Sequence, residues 1–323
     1  MSAPIVTRAS TLLGVRYPIV QGGLARVAKA ELCAAVSAAG GLGQIATAGL
    51  DGAEALRAEI AKVRAVTDAA FGVNFPLGRM DITAMLELAL EARVPVIALT
   101  AGNPAPWIRR INGQAKVLVL IAGPELAKKA EAAGADIVAT VGYEGGGHLG
   151  LGDETTMVMV PRVVRAVSIP VLASGGIADG AGLLAALALG AEGVEMGTRF
   201  VASTEARAHA NYKQALVDAR PENTSIIKRS LRQPGRVIST PHTEALNARE
   251  ASGAAAEELL PLISGEVNER GVGEGRVAES YVWAGQCVGL IDEVLPAGEI
   301  IARMVREAHD GLARMQRMLQ PTG

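Results

Sequence analysis

The fold is indicated most clearly by residues 135–150, which read ADIVATVGYEGGGHLG. An apolar run of strand length ends here in a glycine-dense turn, which is typical of a buried parallel strand that delivers a loop to a sheet edge. Three consecutive glycines let the backbone approach a flat or anionic ligand, because no side chain intervenes. They also hold His148, an acid/base candidate, beside that ligand. The stretch therefore predicts a ligand site with His148 beside it, either as an acid/base group or as a solvated or backbone-bonded loop histidine.

Composition indicates a globular protein with a sizeable core. The chain has 323 residues, of which 50% are hydrophobic, and its formal net charge is −2. This balance gives no reason to expect the clustered basic surface that nucleic acid or an anionic membrane requires, so we expect a small-molecule substrate, no nucleic acid and no membrane partner. Cys33 and Cys287 lack the spacing of a disulfide framework or a zinc site, so we expect no metal and a reducing, cytoplasmic location. The sequence is also compatible with a homo-oligomer.

Strand-length apolar runs alternate with helical runs through residues 1–220, which is the pattern of a parallel sheet covered by helices. Eight such rounds predict a closed TIM (β/α)8 barrel rather than an open sheet. The predicted strands are 17–21, 42–47, 71–74, 94–100, 116–121, the apolar run opening at 135, 170–174 and 193–197. The predicted helices are 29–39, 53–66, 82–92, 105–111, 124–133, 156–167, 180–189 and 204–218.

The pattern changes after residue 220. Four prolines, at positions 221, 234, 241 and 261, interrupt helical segments, and a long helix is predicted from 297 to 319. We therefore predict an α/β protein with two parts. Residues 1–220 form the barrel, and residues 221–323 form a smaller, mainly helical cap region over its mouth.

Glycines follow the last two predicted strands, in Ser174-Gly175-Gly176 and in Gly197-Thr198. In barrels of this kind the corresponding loops commonly build a phosphate site from backbone N–H groups. The two hydroxyl side chains add further donors. Tight barrel turns are the alternative, but turns alone do not call for glycines after both strands. A phosphate site is therefore predicted.

Amide groups lie at two other strand ends. Gln21, followed by Gly22, ends strand one, and Asn74 ends strand three. An amide donates and accepts at once, as a ring with mixed N–H and C=O edges requires, although both residues are also suited to capping a strand. No G-x-G-x-x-G sequence follows a strand in a βαβ context, so a Rossmann site is not supported. Together with the phosphate site, this pattern predicts FMN.

Six ordered motifs resemble the nitronate monooxygenase (2-nitropropane dioxygenase-like) family. They are PIVQGG at 18–23, AAGGLG at 38–43, FGVN at 71–74, EGGGH at 144–148, SGGIADG at 174–180 and MGTRF at 196–200. The resemblance continues into the tail at 284–286 and 289–291. It implies a TIM barrel with a smaller cap domain, FMN at the mouth with Gly146 among its contacts, and His148 as the active-site histidine.

Three positions depart from that family pattern. Leu24 replaces the usual methionine and conserves its volume. Val141 stands where a polar glutamine, glutamate or aspartate is usual, which affects one expected contact to the flavin edge. Gly145 stands where alanine or serine is commoner. Without that Cβ atom, we expect a more flexible loop.

The resemblance implies oxidation of alkyl nitronates by O2 to carbonyl compounds and nitrite. His148 would bind the anionic substrate when protonated or remove the Cα proton of a nitroalkane when neutral, because an imidazole pKa near 6.5 allows both. The family also contains NAD(P)H-dependent reductases of quinones and of enoyl thioesters, which is the alternative. A flavin- or phosphate-binding protein without turnover is a third hypothesis, but a mere binder needs no titratable group in its glycine loop.

Overall fold

The computed structural model describes residues 3–78 and 81–320. The parallel strands are β1 Ile19–Gln21, β2 Gly43–Ala46, β3 Phe71–Pro76, β4 Val96–Thr100, β5 Lys116–Ile121, β6 Ile137–Val141, β8 Val171–Ser174 and β9 Val194–Met196. They pair in the order β1-β9-β8-β6-β5-β4-β3-β2, and a bridge between Val20 of β1 and Leu42, next to β2, brings the two ends of the sheet together. The fold class is therefore confirmed as a TIM barrel. A two-residue strand, β7 (Gly147–His148), lies outside the barrel.

Helices cover the outer face of these strands. They are α2 Ala30–Ala38, α3 Gly52–Val66, α4 Thr83–Glu91, α5 Ala105–Ile111, α6 Pro124–Ala133, α7 Thr156–Val164 and α8 Gly180–Ala188. Two of these helices, α5 and α6, have the predicted bounds, and α7 and α8 begin at the predicted residues. A short helix that was not predicted, α1 (Arg8–Leu13), packs Ala9 and Leu13 against the apolar barrel interior.

The helix predicted over 204–218 begins later than expected. A short helix, α9 (Thr198–Val201), follows β9, and α10 runs over Ala210–Asp218. Between them the Thr204 N–H donates to the carbonyl of Leu295 at 3.0 Å, so this segment is tied to a distant part of the chain. A long-range hydrogen bond has replaced the first helical turn.

The barrel interior changes character along its axis. Residues such as Val20, Leu118 and Leu172 fill the end nearer α1 with apolar side chains. Toward the carboxyl ends of the strands, which we call the mouth, buried polar residues appear. They are Gln44, Asn74, Ser174 and Glu195. Because burying polar groups requires hydrogen-bond partners, this layer indicates a ligand site.

The segment after α10 contains strands as well as helices. β10 (Thr224–Ile227) pairs with β11 (Gly235–Ile238), and β11 pairs with β7 in the loop after β6. Three helices follow, α11 Pro241–Ala251, α12 Ala256–Leu259 and α13 Gly265–Val272. The sequence had predicted only helices here, because four-residue strands with mixed polarity give little periodic signal.

The last helix, α14 (Ala297–Leu319), has the predicted bounds but packs on the barrel wall against α8 and α2. Gly180 allows this contact, since an added Cβ atom would lie 2.3 Å from the carbonyl oxygen of Met304. The division of the chain at residue 220 stays a prediction. No helix within residues 3–78 and 81–320 has the length and apolarity needed to cross a membrane.

Candidate active site

The EGGGH loop is held by close backbone packing. A Cβ atom at Gly145 would lie 2.6 Å from Cγ1 of Val141, and one at Gly146 would lie 2.6 Å from the backbone nitrogen of Gly285. These glycines are therefore required by the neighbouring chain, whatever ligand they also approach. The loop is packed rather than loosened by its extra glycine, contrary to our expectation.

Two charged residues fix the same loop. Arg236 is buried, and its Nε and one terminal nitrogen donate to the carbonyl of Tyr143 at 3.2 and 3.0 Å. Glu144 accepts hydrogen bonds from the backbone N–H and hydroxyl of Thr156 at 2.9 and 3.0 Å. The loop is thus tied to β11 on one side and α7 on the other, which fixes the position of His148.

His148 lies in β7 and contacts a lysine that the sequence analysis missed. Its Nε2 is 2.8 Å from Nζ of Lys228, a buried residue that follows β10, and its ring lies 5.0 Å from that of Trp283. The ammonium of Lys228 also lies over the Trp283 ring, at 4.8 Å. Because an ammonium group only donates, Nε2 of His148 accepts and the imidazole proton is on Nδ1.

This contact changes the expected protonation state. The His148 residue is exposed at the mouth, but the protein that surrounds its ring, together with the charge of Lys228, lowers the pKa of His148 to about 4. The prediction that His148 titrates near 6.5 was therefore wrong. At neutral pH the imidazole is uncharged, and the positive charge at this position belongs to Lys228.

The predicted phosphate loops have the geometry of an anion nest. Gly175 and Gly176 have φ values of 94° and 76°, and in the described part of the chain their N–H groups meet no protein acceptor. Successive free N–H groups of this kind make a concave anion site. Ser174 ends β8 beside them, and Thr198, next to Gly197, accepts a hydrogen bond from the Gly285 N–H at 2.9 Å. Their binding of a phosphate stays a prediction.

The predicted amide ligands differ from each other. The side chain of Gln21 accepts from the Gln44 N–H at 2.9 Å and donates to the carbonyl of Gly22, so it joins β1 to β2. Asn74, in contrast, has a buried Nδ2 atom with no partner among the described residues. Gln44, which the sequence analysis missed, makes no hydrogen bond of normal geometry with either side-chain end. Its position two residues after Leu42, on the strand face opposite to that of Ile45, could have revealed it as an interior polar residue.

Glu195 is a second acidic group that the sequence analysis missed. It lies between Val194 and Met196, which pack outward, so its carboxyl group points into the barrel, where an added Cβ atom at Gly22 would lie 3.5 Å from it. Burial raises the pKa of Glu195 to about 7, and the nearby Gln44 amide opposes the rise. The layer beneath the mouth therefore contains a carboxyl group that is substantially protonated at neutral pH.

Glu195→Gln should remove a pH-dependent loss of stability. The folded-state pKa of about 7 lies above the ordinary value of 4.5. Between these values the folded state holds a proton that the unfolded state has lost, so the free energy of unfolding should fall by about 3 kcal/mol as the pH rises from 4.5 to 7. Urea unfolding of the flavin-free wild type at pH 5 and pH 8 measures this fall.

The Glu195→Gln variant should show a much smaller fall between the same two pH values. Glu125→Gln, an exposed change on α6, is the matched control and should keep the wild-type behaviour. An equal pH dependence in wild type and Glu195→Gln would show that Glu195 is ionised in the folded protein throughout.

A barrel of this topology, with its polar side chains gathered at the mouth, belongs to the class of TIM-barrel enzymes. The model of the nitronate monooxygenase family matches residues 7–85 and 79–307, and the chain belongs to this family of oxidoreductases.

Individual relatives resemble the chain over nearly its whole length. The nitronate monooxygenase of Pseudomonas aeruginosa is 33% identical, over 93% of this chain and 98% of its own. The solved structure of FabK from Thermotoga maritima is 38% identical, covers 98% of this chain and 100% of its own, and has a TM-score of 0.90. The solved structure of nitroalkane oxidase from Streptomyces ansochromogenes is 28% identical, covers 96% of this chain and 100% of its own, and has a TM-score of 0.84.

Proposed function

We propose that this enzyme uses FMN to oxidise alkyl nitronates with O2, giving carbonyl compounds and nitrite. Family membership supports the reaction class. The pair formed by Lys228 and His148 is the observation that favours an anionic nitronate as the substrate. An ammonium group 2.8 Å from a neutral imidazole presents one positive charge at the mouth. A nitronate carries one negative charge, shared between its oxygen atoms, and this charge complements that of the ammonium group.

The residues at the mouth fit FMN. Three buried polar atoms without normal hydrogen bonds, Nδ2 of Asn74 and both ends of the Gln44 amide, match a ring with mixed donors and acceptors. The free N–H groups of Gly175 and Gly176 would hold its phosphate. When bound, FMN supplies the redox chemistry between substrate and O2.

The protein side chains have separate roles in this proposal. Lys228 binds the nitronate oxygen atoms through its ammonium group. Nε2 of His148 accepts a hydrogen bond from Lys228, which orients the ammonium group. With a neutral nitroalkane, Nε2 must first release Lys228 before it can accept the Cα proton. The geometry therefore favours the preformed nitronate as substrate over the nitroalkane.

A second function is favoured by the likeness to FabK, which covers 98% of this chain. On the same FMN site, NAD(P)H would reduce the flavin, and a quinone or an enoyl thioester would take the electrons. Here the Lys228 ammonium would hold the carbonyl oxygen of the acceptor, where negative charge develops.

One anaerobic experiment separates the two functions. Acid release from the purified protein should first give FMN, and FAD or no flavin would contradict the cofactor assignment. Propionate 3-nitronate, NADH and NADPH are then mixed separately with the enzyme while the flavin absorbance is followed. We expect rapid bleaching by the nitronate and slow bleaching by both nicotinamides. Rapid bleaching by NADH or NADPH alone would replace nitronate oxidation by the reductase function.

A further inference from the structure

A cavity separate from the glycine loops lies on the rim of the barrel mouth. It has a volume of about 400 Å³ and is bounded by the loops after β1, β2 and β9 and by α13. Arg26, Lys29 and Arg207 contribute cations to its wall, Glu269 contributes a carboxylate, and His209 lies beside them. The glycine nest at Gly175 and Gly176 is not part of this lining, so the cavity is distinct from the phosphate loops considered above.

Lys29 is the most deeply buried of these cations. It is 3% exposed, and its Nζ donates to the carbonyl of Ala46 at 3.2 Å. Burial lowers the pKa of Lys29 to about 8, with Glu59 opposing the shift and Arg207 and Arg26 adding to it. Glu59 itself pairs with Lys62 at 2.7 Å, so its carboxylate neutralises the charge of Lys29 only in part. An anion in the cavity would relieve the repulsion among the three cations.

The surrounding backbone leaves room for Arg26. This residue has a φ value of 65°, and its guanidinium donates to Glu269 at 3.1 Å. Added Cβ atoms at Gly49 and Gly265 would lie 2.9 Å and 2.8 Å from its side chain. Arg207 is exposed, and its side chain forms no ion pair within residues 3–78 and 81–320. The guanidinium of Arg26 is therefore held in place by Glu269, and that of Arg207 is available to bind an anion.

We propose that this cavity binds the phosphate monoester of an adenine nucleotide, either the 2′-phosphate of NADPH or the 3′-phosphate of coenzyme A. Three cations less the carboxylate of Glu269 leave two positive charges, which match a phosphate dianion. Guanidinium groups suit phosphate because their N–H donors form a planar fork. A cavity of about 400 Å³ also has room for part of the attached nucleoside. The NADPH case rests on the reductase function considered above, whereas binding to the cavity does not depend on nitronate oxidation.

Isothermal titration of the FMN-loaded enzyme tests the proposal by binding alone. The probes are adenosine 2′,5′-bisphosphate, adenosine 3′,5′-bisphosphate and adenosine 5′-monophosphate, which lacks the additional phosphate. We expect one bisphosphate to bind at least ~10-fold more tightly than the monophosphate, since hydrogen bonds to charged groups are of this size. Preference for the 2′ isomer would identify NADPH, and preference for the 3′ isomer would identify coenzyme A.

Arg207→Ala should remove most of the preference for the bisphosphate. The residue is exposed, so the variant should fold. Arg57→Ala, an exposed change on α3 outside the cavity, should keep the preference. Equal binding of all three probes, or an undiminished preference in Arg207→Ala, would overturn the proposal. Loss of nitronate oxidation would not affect it, because the titration does not depend on turnover.

Discussion

His148→Asn should slow flavin reduction by a neutral nitroalkane by ~10²- to 10⁴-fold, the usual contribution of a positioned general base. Asparagine keeps a hydrogen-bonding group in place but cannot accept the Cα proton. A preformed nitronate has already lost that proton, so its oxidation should slow much less. Stopped-flow measurement of the anaerobic half-reaction with each substrate gives the two rates. Equal losses with nitroalkane and nitronate would remove the base role of His148.

Lys228→Met is the complementary variant, because it removes the charge while keeping much of the side-chain length. If Lys228 binds the nitronate oxygens, kcat/KM for nitronate should fall roughly 10- to 100-fold, as expected for a lost charge-assisted hydrogen bond. Lys116→Met is the matched control, since Lys116 lies at the opposite end of the barrel as the first residue of β5. Unchanged nitronate kinetics in Lys228→Met would contradict the assigned role.

The pH profile of the nitroalkane reaction gives an independent check on His148. A base acts in its deprotonated form, and the protein around the His148 ring, together with the charge of Lys228, lowers the pKa of His148 to about 4. The base form is therefore present throughout the range above pH 5 and is lost only as the pH falls through 4. We expect no step in the wild-type rate near pH 6.5, where an ordinary histidine would produce one.

Much of the barrel could be predicted because its elements are local. Each strand is a short apolar run and each helix an amphipathic one, so the sequence reveals the alternation directly. α5 begins at Ala105 and α6 at Pro124, as predicted. The errors occur where distant residues decide the structure. Thr204 is held by the carbonyl of Leu295, and β10 and β11 are stabilised by pairing with each other and with β7.

The candidate site was predictable to the same degree. His148 and the glycine loops stand out because they follow strand ends. Lys228 reaches His148 from 80 positions away along the chain, and no local pattern marks it. Arg199, which follows the end of a strand, donates to the carbonyls of Ala202 and Glu293, both at 2.7 Å, and the second of these lies far along the chain. Contacts of this kind depend on the complete fold.

Two of the three departures from the family pattern can be interpreted only together. Val141 and Gly145 are four positions apart, and in the sequence each looks like an independent change. In the structure a Cβ atom at Gly145 would lie 2.6 Å from Cγ1 of Val141. The branched side chain at 141 therefore occupies the space that alanine or serine at 145 would need, and the glycine compensates for the valine.

Gly176→Asp should abolish the retention of FMN while leaving the barrel folded. The φ value of 76° at this position is one that aspartate tolerates better than most residues. An added Cβ atom would lie 3.5 Å from Cβ of Glu144, which is an ordinary contact. The new carboxylate would stand beside the free N–H groups of the nest. Like charges ~4 Å apart near a protein surface repel by about 4 kcal/mol, which corresponds to ~10³-fold in the Kd for FMN.

Gly176→Asn is the matched control for this charge effect, because asparagine has the same shape and the same tolerance of the left-handed backbone. Both variants add the same bulk and lose the same glycine freedom, so any difference between them comes from the carboxylate. Fluorescence titration of the flavin-free proteins with FMN should give a Kd for Gly176→Asn much nearer the wild-type value. If Gly176→Asp and Gly176→Asn bind FMN equally well, the phosphate does not lie against this loop, and the groups that hold it must be sought at another strand end of the mouth.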